Sequence, residues 1–155
     1  MAERDQPSER ELTAADYPVL WPVTTRWADN DMYGHLNNAV YYQLFDTAIN
    51  GWIIGATGID PVSASAQGVV VESGCRYFRS VEFPHPLRIG IRVARLGNSS
   101  VTYDLGLVDA EGDDATIAAR GSWVHVYVDT DSRRPVAIPP PIRNLLAGAE
   151  TEAPS

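Results

Sequence analysis

Apolar residues recur along this chain at two periods, and the switches between them mark out its elements. Residues 18 to 27 alternate, with Val19, Trp21, Val23 and Trp27 at period two, which predicts a strand. Pro22 has no amide hydrogen to donate and so confines that strand to a sheet edge or a bulge. Residues 38 to 54 change to a helical period: Gln43, Asp46, Thr47 and Asn50 fall at i, i+3, i+4 and i+7 on one polar stripe, and nearly everything else is apolar. A helix apolar around so much of its circumference has to be enclosed, as when a curved sheet wraps it. Gly51, Gly55 and Gly58 are expected to end it.

Alternation then returns. Residues 68 to 80 form a second strand candidate, and 87 to 96 a third in which Leu87, Ile89, Ile91 and Val93 oppose Arg88 and Arg92. Gly97-Asn98-Ser99 supplies turn chemistry before Val101, Tyr103, Leu105 and Leu107 continue the pattern in a fourth. Glu111-Gly112-Asp113-Asp114 turns again into a fifth strand over 115 to 128, where Val124, Val126 and Val128 face opposite Trp123, His125 and Tyr127. Pro139-Pro140-Pro141 stops regular sheet and leaves room for a short terminal helix through Leu146. One strand, a long helix, then four strands joined by tight turns predict an α+β domain with an antiparallel sheet of about five strands.

Composition narrows this to one unit. The 155 residues, 45% of them hydrophobic, suit a single domain over 16 to 147, with residues 1 to 15 and 148 to 155 expected to be disordered tails because they are polar and lack periodicity. A formal charge of −8 argues against a nucleic-acid partner. The charge is uneven, however. Residues 69 to 108 carry Arg76, Arg79, Arg88, Arg92 and Arg95 against Glu72, Glu82 and Asp104, so the middle of the chain can still meet phosphates. A single cysteine, Cys75, allows no internal disulfide and is expected to be a core or half-buried thiol. The charged start lacks a secretory apolar region, and no apolar run reaches the length of a membrane span, so a cytoplasmic protein with no membrane partner is expected.

Chemistry concentrates in residues 26 to 38, Arg-Trp-Ala-Asp-Asn-Asp-Met-Tyr-Gly-His-Leu-Asn-Asn, where acids, a glycine, a histidine and two amides crowd a loop that opens onto the helix. Asn37 or Asn38 is the predicted N-cap, since asparagine is a preferred cap and Ala39 begins the apolar stretch. The unpaired amides of such a helix start, with its dipole behind them, suit an anion or a carbonyl oxygen on which charge develops.

The pattern Asp29-x-Asp31-x-x-Gly34-His35-Leu36-Asn37-Asn38-x-x-Tyr41 resembles the signature loop of the 4-hydroxybenzoyl-CoA thioesterase group of hotdog-fold proteins. The resemblance extends through the strand pattern over roughly residues 17 to 129. It implies a hotdog fold, the sheet curling around the central helix, and an acyl-CoA thioesterase that cleaves an acyl or aroyl thioester to carboxylate and thiol. It further implies a homodimer with sheets joined edge to edge, commonly assembled into a homotetramer. By the same resemblance Asp31 is the catalytic carboxylate, acting as nucleophile or general base, and the amide near Asn38 polarises the thioester carbonyl. No metal or separate cofactor is expected, coenzyme A being part of the substrate.

Other residues carry weaker expectations. His35 is placed with the catalytic group, to orient substrate, donate to the carbonyl or hold Asp31, although a purely structural histidine fits as well. Asn37, Gly34 and Tyr41 are expected to bind substrate, with Gly34 permitting a backbone shape or close approach that a Cβ would block. Arg76 and Arg88 are candidates for the phosphates of coenzyme A. Asp29 is expected to hold the loop's shape, and Asp46 is the rival acid, read as a buried, hydrogen-bonded helix residue. Trp27, Tyr33, Trp52, Tyr77 and Phe78 could line an aromatic pocket. The competing functions are a hotdog enoyl-CoA hydratase or dehydratase and a non-enzymatic acyl-CoA-binding module. His35, His85 and His125 have no metal-ligand spacing, and Gly-x-Ser-x-Gly, P-loop and dinucleotide motifs are absent from the sequence.

Overall fold

The structure, a computed structural model, describes residues 8–151. Its elements follow the order β1 (Val19–Val23), α1 (Asn38–Thr57), β2 (Ala66–Tyr77), β3 (Leu87–Leu96), β4 (Ser100–Val108), β5 (Ile117–Asp129) and α2 (Pro140–Ala147). The five strands form one antiparallel sheet in the order β1-β3-β4-β5-β2. β1 and β2, consecutive in sequence, thus lie at opposite edges, and the connection between them, which contains α1, must cross the whole sheet. Pro22 sits on the β1 edge strand, where a missing N–H costs least.

The alternation in β3, β4 and β5 sends Ile89, Ile91, Tyr103, Leu105, Trp123, His125 and Tyr127 to the inner face, all buried. Tyr41, Leu44, Phe45, Ala48, Ile49, Trp52 and Ile53 of α1 meet them, and Ile142 and Leu146 of α2 close one side of the same core. The helix is not fully enclosed: Gln43, Asp46, Thr47 and Asn50 form a stripe off the core.

Several expectations change here. Gly51 and Gly55 lie inside α1 and do not end it; a Cβ on Gly51 would stand 3.0 Å from the Trp21 ring, so that glycine gives the β1 indole room against the helix. Gly58 does end it, in the left-handed region at φ 70° with its N–H bonded to the Ile54 carbonyl. Trp27 leaves the strand pattern and lies in a 3-10 turn, Trp27–Asp29, 82% exposed.

The expected N-terminal tail is shorter than residue 15. Residues 1 to 7 lie outside the described residues, but Leu12, Ala14 and Tyr17 are buried with Val108 and Ile117 in a second cluster on the outer face of the sheet. Glycine makes room there as well: Gly90 and Gly106 are register partners, and a Cβ on Gly90 would stand 2.5 Å from the Tyr17 side chain. Tyr17 donates to Asp104, whose carboxylate also receives Arg92 and Arg120. At the other end Ala149 is buried, and the Val93 N–H and C=O bond Ala149 O and Thr151 N, so residues 148 to 151 continue the packed structure. The rest of that expected tail, 152 to 155, lies outside the described residues. Periodicity could not show either packed segment, because each is too short to repeat and is held by pairing to a distant strand.

Candidate active site

Between β1 and α1 the backbone makes a compact, internally bonded loop. Asp29 is buried at its base and accepts the Arg26 backbone N–H at 2.8 Å and the Arg26 guanidinium at 2.9 and 3.2 Å. Those hydrogen bonds hold its carboxyl below the usual carboxylate range against the opposing effect of burial. The Asp29 carbonyl accepts the Asn37 N–H, Leu36 N–H bonds Val81 O, and Asn30 Oδ1 accepts the Phe83 N–H at 3.1 Å. Asp29 thus shapes the loop, as its sequence position suggested.

Asp31 stands at the turn this scaffold supports. Its N–H donates to His35 O, its carbonyl accepts from Gly34, and Gly34 takes φ 79°, which favours glycine. Oδ1 of Asp31 accepts the Tyr33 N–H at 2.9 Å and the His35 N–H at 3.4 Å. Oδ2 has no partner among the described residues. Two residues after His35, Asn37 caps α1, its Oδ1 accepting the Ala39 N–H at 3.0 Å. The Asn38 N–H is left without an acceptor among the described residues.

Asp31, His35, Asn38 and Tyr41 line one open depression of about 410 Å³, together with Leu36, Tyr77, Phe78, Arg79 and Ser80. The Tyr77 hydroxyl donates to the Asn38 carbonyl at 3.0 Å and so ties the end of β2 to the start of α1. Burial raises the phenols of Tyr41 and Tyr77, which therefore stay protonated donors at neutral pH. It also pushes the half-buried Cys75 thiol up to about 11, which leaves it a poor nucleophile.

The remaining candidates lie elsewhere. Arg76 points to the outer face, where it pairs with Glu9, and Arg88 donates to the carbonyls of Ala110 and Gly112 in the β4–β5 turn. Asp46 is exposed and not buried as expected, accepting from the Asn50 amide on the stripe of α1. Of the proposed aromatic lining, Tyr77 and Phe78 reach the depression, Trp52 is in the core, and Trp27 and Tyr33 are exposed. Arg79 lies at the site but is engaged by Asp109 and by the carbonyls of Thr116 and Ile117. Ser80 is the site residue that sequence reasoning missed; nothing distinguishes it from any serine after a strand. No group of three His, Cys, Asp or Glu side chains able to hold a metal occurs among the described residues, and no helix there is long and apolar enough to cross a membrane.

A five-stranded antiparallel sheet laid against one long helix, with an acidic loop at the helix start, is the hotdog fold. Residues 25–146 match the thioesterase-like superfamily, and the chain belongs to that family, whose chemistry is thioester hydrolysis. The structure is similar to a crystal structure of the PA5185 protein from Pseudomonas aeruginosa strain PAO1, with 45% identity, coverage of 92% of this chain and 98% of that one, and a TM-score of 0.87. It is also similar to a Thermus thermophilus thioesterase solved with coenzyme A and zinc, at 26% identity, covering 83% of this chain and 96% of that one, with a TM-score of 0.66. Among curated sequences the YsmA protein of Bacillus subtilis (strain 168) is 27% identical over 117 residues, covering 74% of this chain and 76% of that protein.

Proposed function

We propose that the chain is an acyl-CoA thioesterase in which Asp31 supplies the base or nucleophile and the Asn38 N–H receives the developing oxyanion. The observation that carries this reading is the pairing, in one depression, of a carboxylate oxygen and a helix-start N–H that both lack a partner among the described residues. With Asp31 as base, water adds to the thioester carbon while its proton passes to Asp31 Oδ2 and charge moves to the carbonyl oxygen facing the Asn38 N–H. Collapse breaks the C–S bond, and the proton returns from Asp31 to the departing thiolate. With Asp31 as nucleophile, Oδ2 attacks the same carbon, the thiolate leaves, and water hydrolyses the resulting anhydride, which restores the Asp31 carboxylate and releases the proton that the thiolate takes up. Tyr77 fixes the helix start through its bond to Asn38, and His35 lines the same depression.

The same reading makes the molecule a two-fold assembly. β2 is an edge strand of twelve residues with Val70 46% and Val71 58% exposed, and Trp27, Met32 and Tyr33 are exposed around the acidic loop. Edges of that length are normally covered, and pairing two β2 strands would cover both. The coenzyme A bound by the Thermus relative supports that molecule as the thiol carrier. A thiol-release assay across short, long and aromatic acyl-CoAs tests the proposal. Release from at least one class is expected, and silence across the panel would sink it in favour of a binding module.

A further inference from the structure

On the outer face of the sheet, three arginines cluster around fewer acids than would match them. Arg92 and Arg120 both donate to the Asp104 carboxylate, which also accepts the Tyr17 hydroxyl, so both of its oxygens are taken. Arg120 turns its remaining nitrogen, Nη1, toward Oε1 of Glu9 at 3.5 Å, and Arg76 pairs with the same oxygen. Arg76 makes no other hydrogen bond among the described residues. Arg76 on β2 and Arg120 on β5 are register partners, and like charges set directly opposite in a sheet repel unless an anion lies between them. The Glu9 carboxylate is that anion here, and it comes from a part of the chain that belongs to neither strand.

Glu9 is loosely held and does not fill the space it enters. It sits in a 3-10 turn of three residues, Glu9–Glu11, none of them buried, and the Arg76 side chain is 71% exposed. Exposed ion pairs of this kind shift an equilibrium by about five-fold or less. The pocket around Glu9 has a volume of about 500 Å³, within the range of about 300–1,000 Å³ usual for small-molecule sites. Gly74, Thr102 and Ser122 line it with the two arginines, and neither hydroxyl has a hydrogen-bond partner among the described residues. It shares no lining residue with the Asp31 depression. Arg76 and Tyr77, consecutive on β2, point to opposite faces of the sheet.

We infer that this pocket binds a small phosphate-bearing ligand other than the thioester substrate, and that Glu9 is a tethered stand-in which the ligand displaces. With Glu9 gone, three guanidinium groups face the single carboxylate of Asp104, an excess of positive charge that suits a phosphate dianion at neutral pH. Guanidinium forks match phosphate oxygens in geometry, and the Thr102 and Ser122 hydroxyls add donors. A carboxylate ligand would gain only what Glu9 already supplies. The third oxygen and second charge of a phosphate are what would outbid it. Binding can be measured without turnover, so the inference stands apart from the thioesterase reading.

Titration calorimetry with sodium pyrophosphate, at an ionic strength held constant with sodium chloride, is the test. One saturable site per chain is expected. Arg76→Gln should weaken it about 10-fold or more, because a charge-assisted contact is lost. Glu9→Gln leaves the Ser8–Glu11 bond of the turn in place and should tighten binding by about 3- to 10-fold, because the competitor is gone. Gly74→Leu keeps every charge, and its Cβ would meet nothing within 4 Å beside Ser122, its register partner; it should abolish binding by filling the pocket. Arg88→Gln, whose guanidinium lies against the Ala110 and Gly112 carbonyls, should change nothing. No saturable heat in the wild type would overturn the inference, as would Glu9→Gln without gain. An affinity indifferent to Arg76→Gln or Gly74→Leu would mean an adventitious ion only and would overturn it too. Saturating pyrophosphate should leave the KM for acyl-CoA unchanged; a rise in KM that Arg76→Gln removes would give these arginines to the substrate's own phosphates instead. If no acyl-CoA is hydrolysed, the thioesterase reading fails by itself, and the calorimetry still decides this one.

Discussion

A carboxylate with one oxygen tied and the other without a partner among the described residues is held in orientation with an oxygen to spare, which is the state of Asp31. Replacing it with asparagine keeps an oxygen for the two loop amides and removes the base. Asp31→Asn is expected to lower thiol release by about two orders of magnitude or more with substrate binding retained. Asp46→Asn, on the exposed stripe of α1, should leave turnover within a few-fold. Near-normal turnover in the first variant with unchanged folding would exclude Asp31 from the chemistry. The neighbouring acid has a different role. Because the Arg26 hydrogen bonds depress the Asp29 carboxyl, the folded state binds its proton less readily than the unfolded chain. The associated stability is present above the ordinary carboxylate pKa of about 4 and is lost as pH falls through the lower folded value. Thermal melts from pH 6 down to pH 3 should therefore show a shallower decline for Asp29→Asn than for the wild type, from a lower starting point.

At the scale of elements, the strands that alternate most cleanly were the most legible. β3 and β4 match their sequence bounds to within a residue, because burial on one face alone fixes their period. The glycines of α1 were misread because a glycine's local tendency to end a helix says nothing of the Trp21 ring that needs the space. The acidic loop stood out in the sequence as a candidate site, since so many polar groups crowded at one helix start are more than a core or a simple turn requires. The separation of Arg76 and Arg88 from that loop did not, since strand alternation assigns a face but not the partner found on it. The same blindness covers the Gly90 and Gly106 pair, where two strands leave a flat patch for Tyr17. Gly90→Val should destabilise the fold by about 1–3 kcal/mol in denaturant titration, because the aromatic ring has to leave its seat. A neutral result would mean that Tyr17 contributes little to holding the chain's N-terminal part.

For the molecule as a whole, the two edges are not equivalent. β1 carries a proline and is short, which protects it from pairing with other strands, whereas β2 is long and lines its exposed side with valines. Assembly through β2 should appear in light scattering as a dimer or a multiple of one. Val71→Lys should shift the population toward monomer and, if the proposed site draws on two copies, reduce thiol release in proportion. A fully active monomer at micromolar concentration would contradict the shared site.

Among the described residues, the segment ahead of β1 contributes neither a strand nor a side chain of the proposed site, yet it seals a face. Leu12, Ala14 and Tyr17 cover Val108 and Ile117, and Glu9 reaches both Arg76 on β2 and Arg120 on β5. A chain shortened to begin at Pro18 would keep every strand and both helices and would look complete on a topology diagram. Its sheet would nevertheless have a greasy back, and such a fragment should bind the dye ANS and clump on storage while the parent chain does neither. In a fusion or deletion series, the residues from Glu9 onward therefore belong with the sheet, well ahead of its first strand.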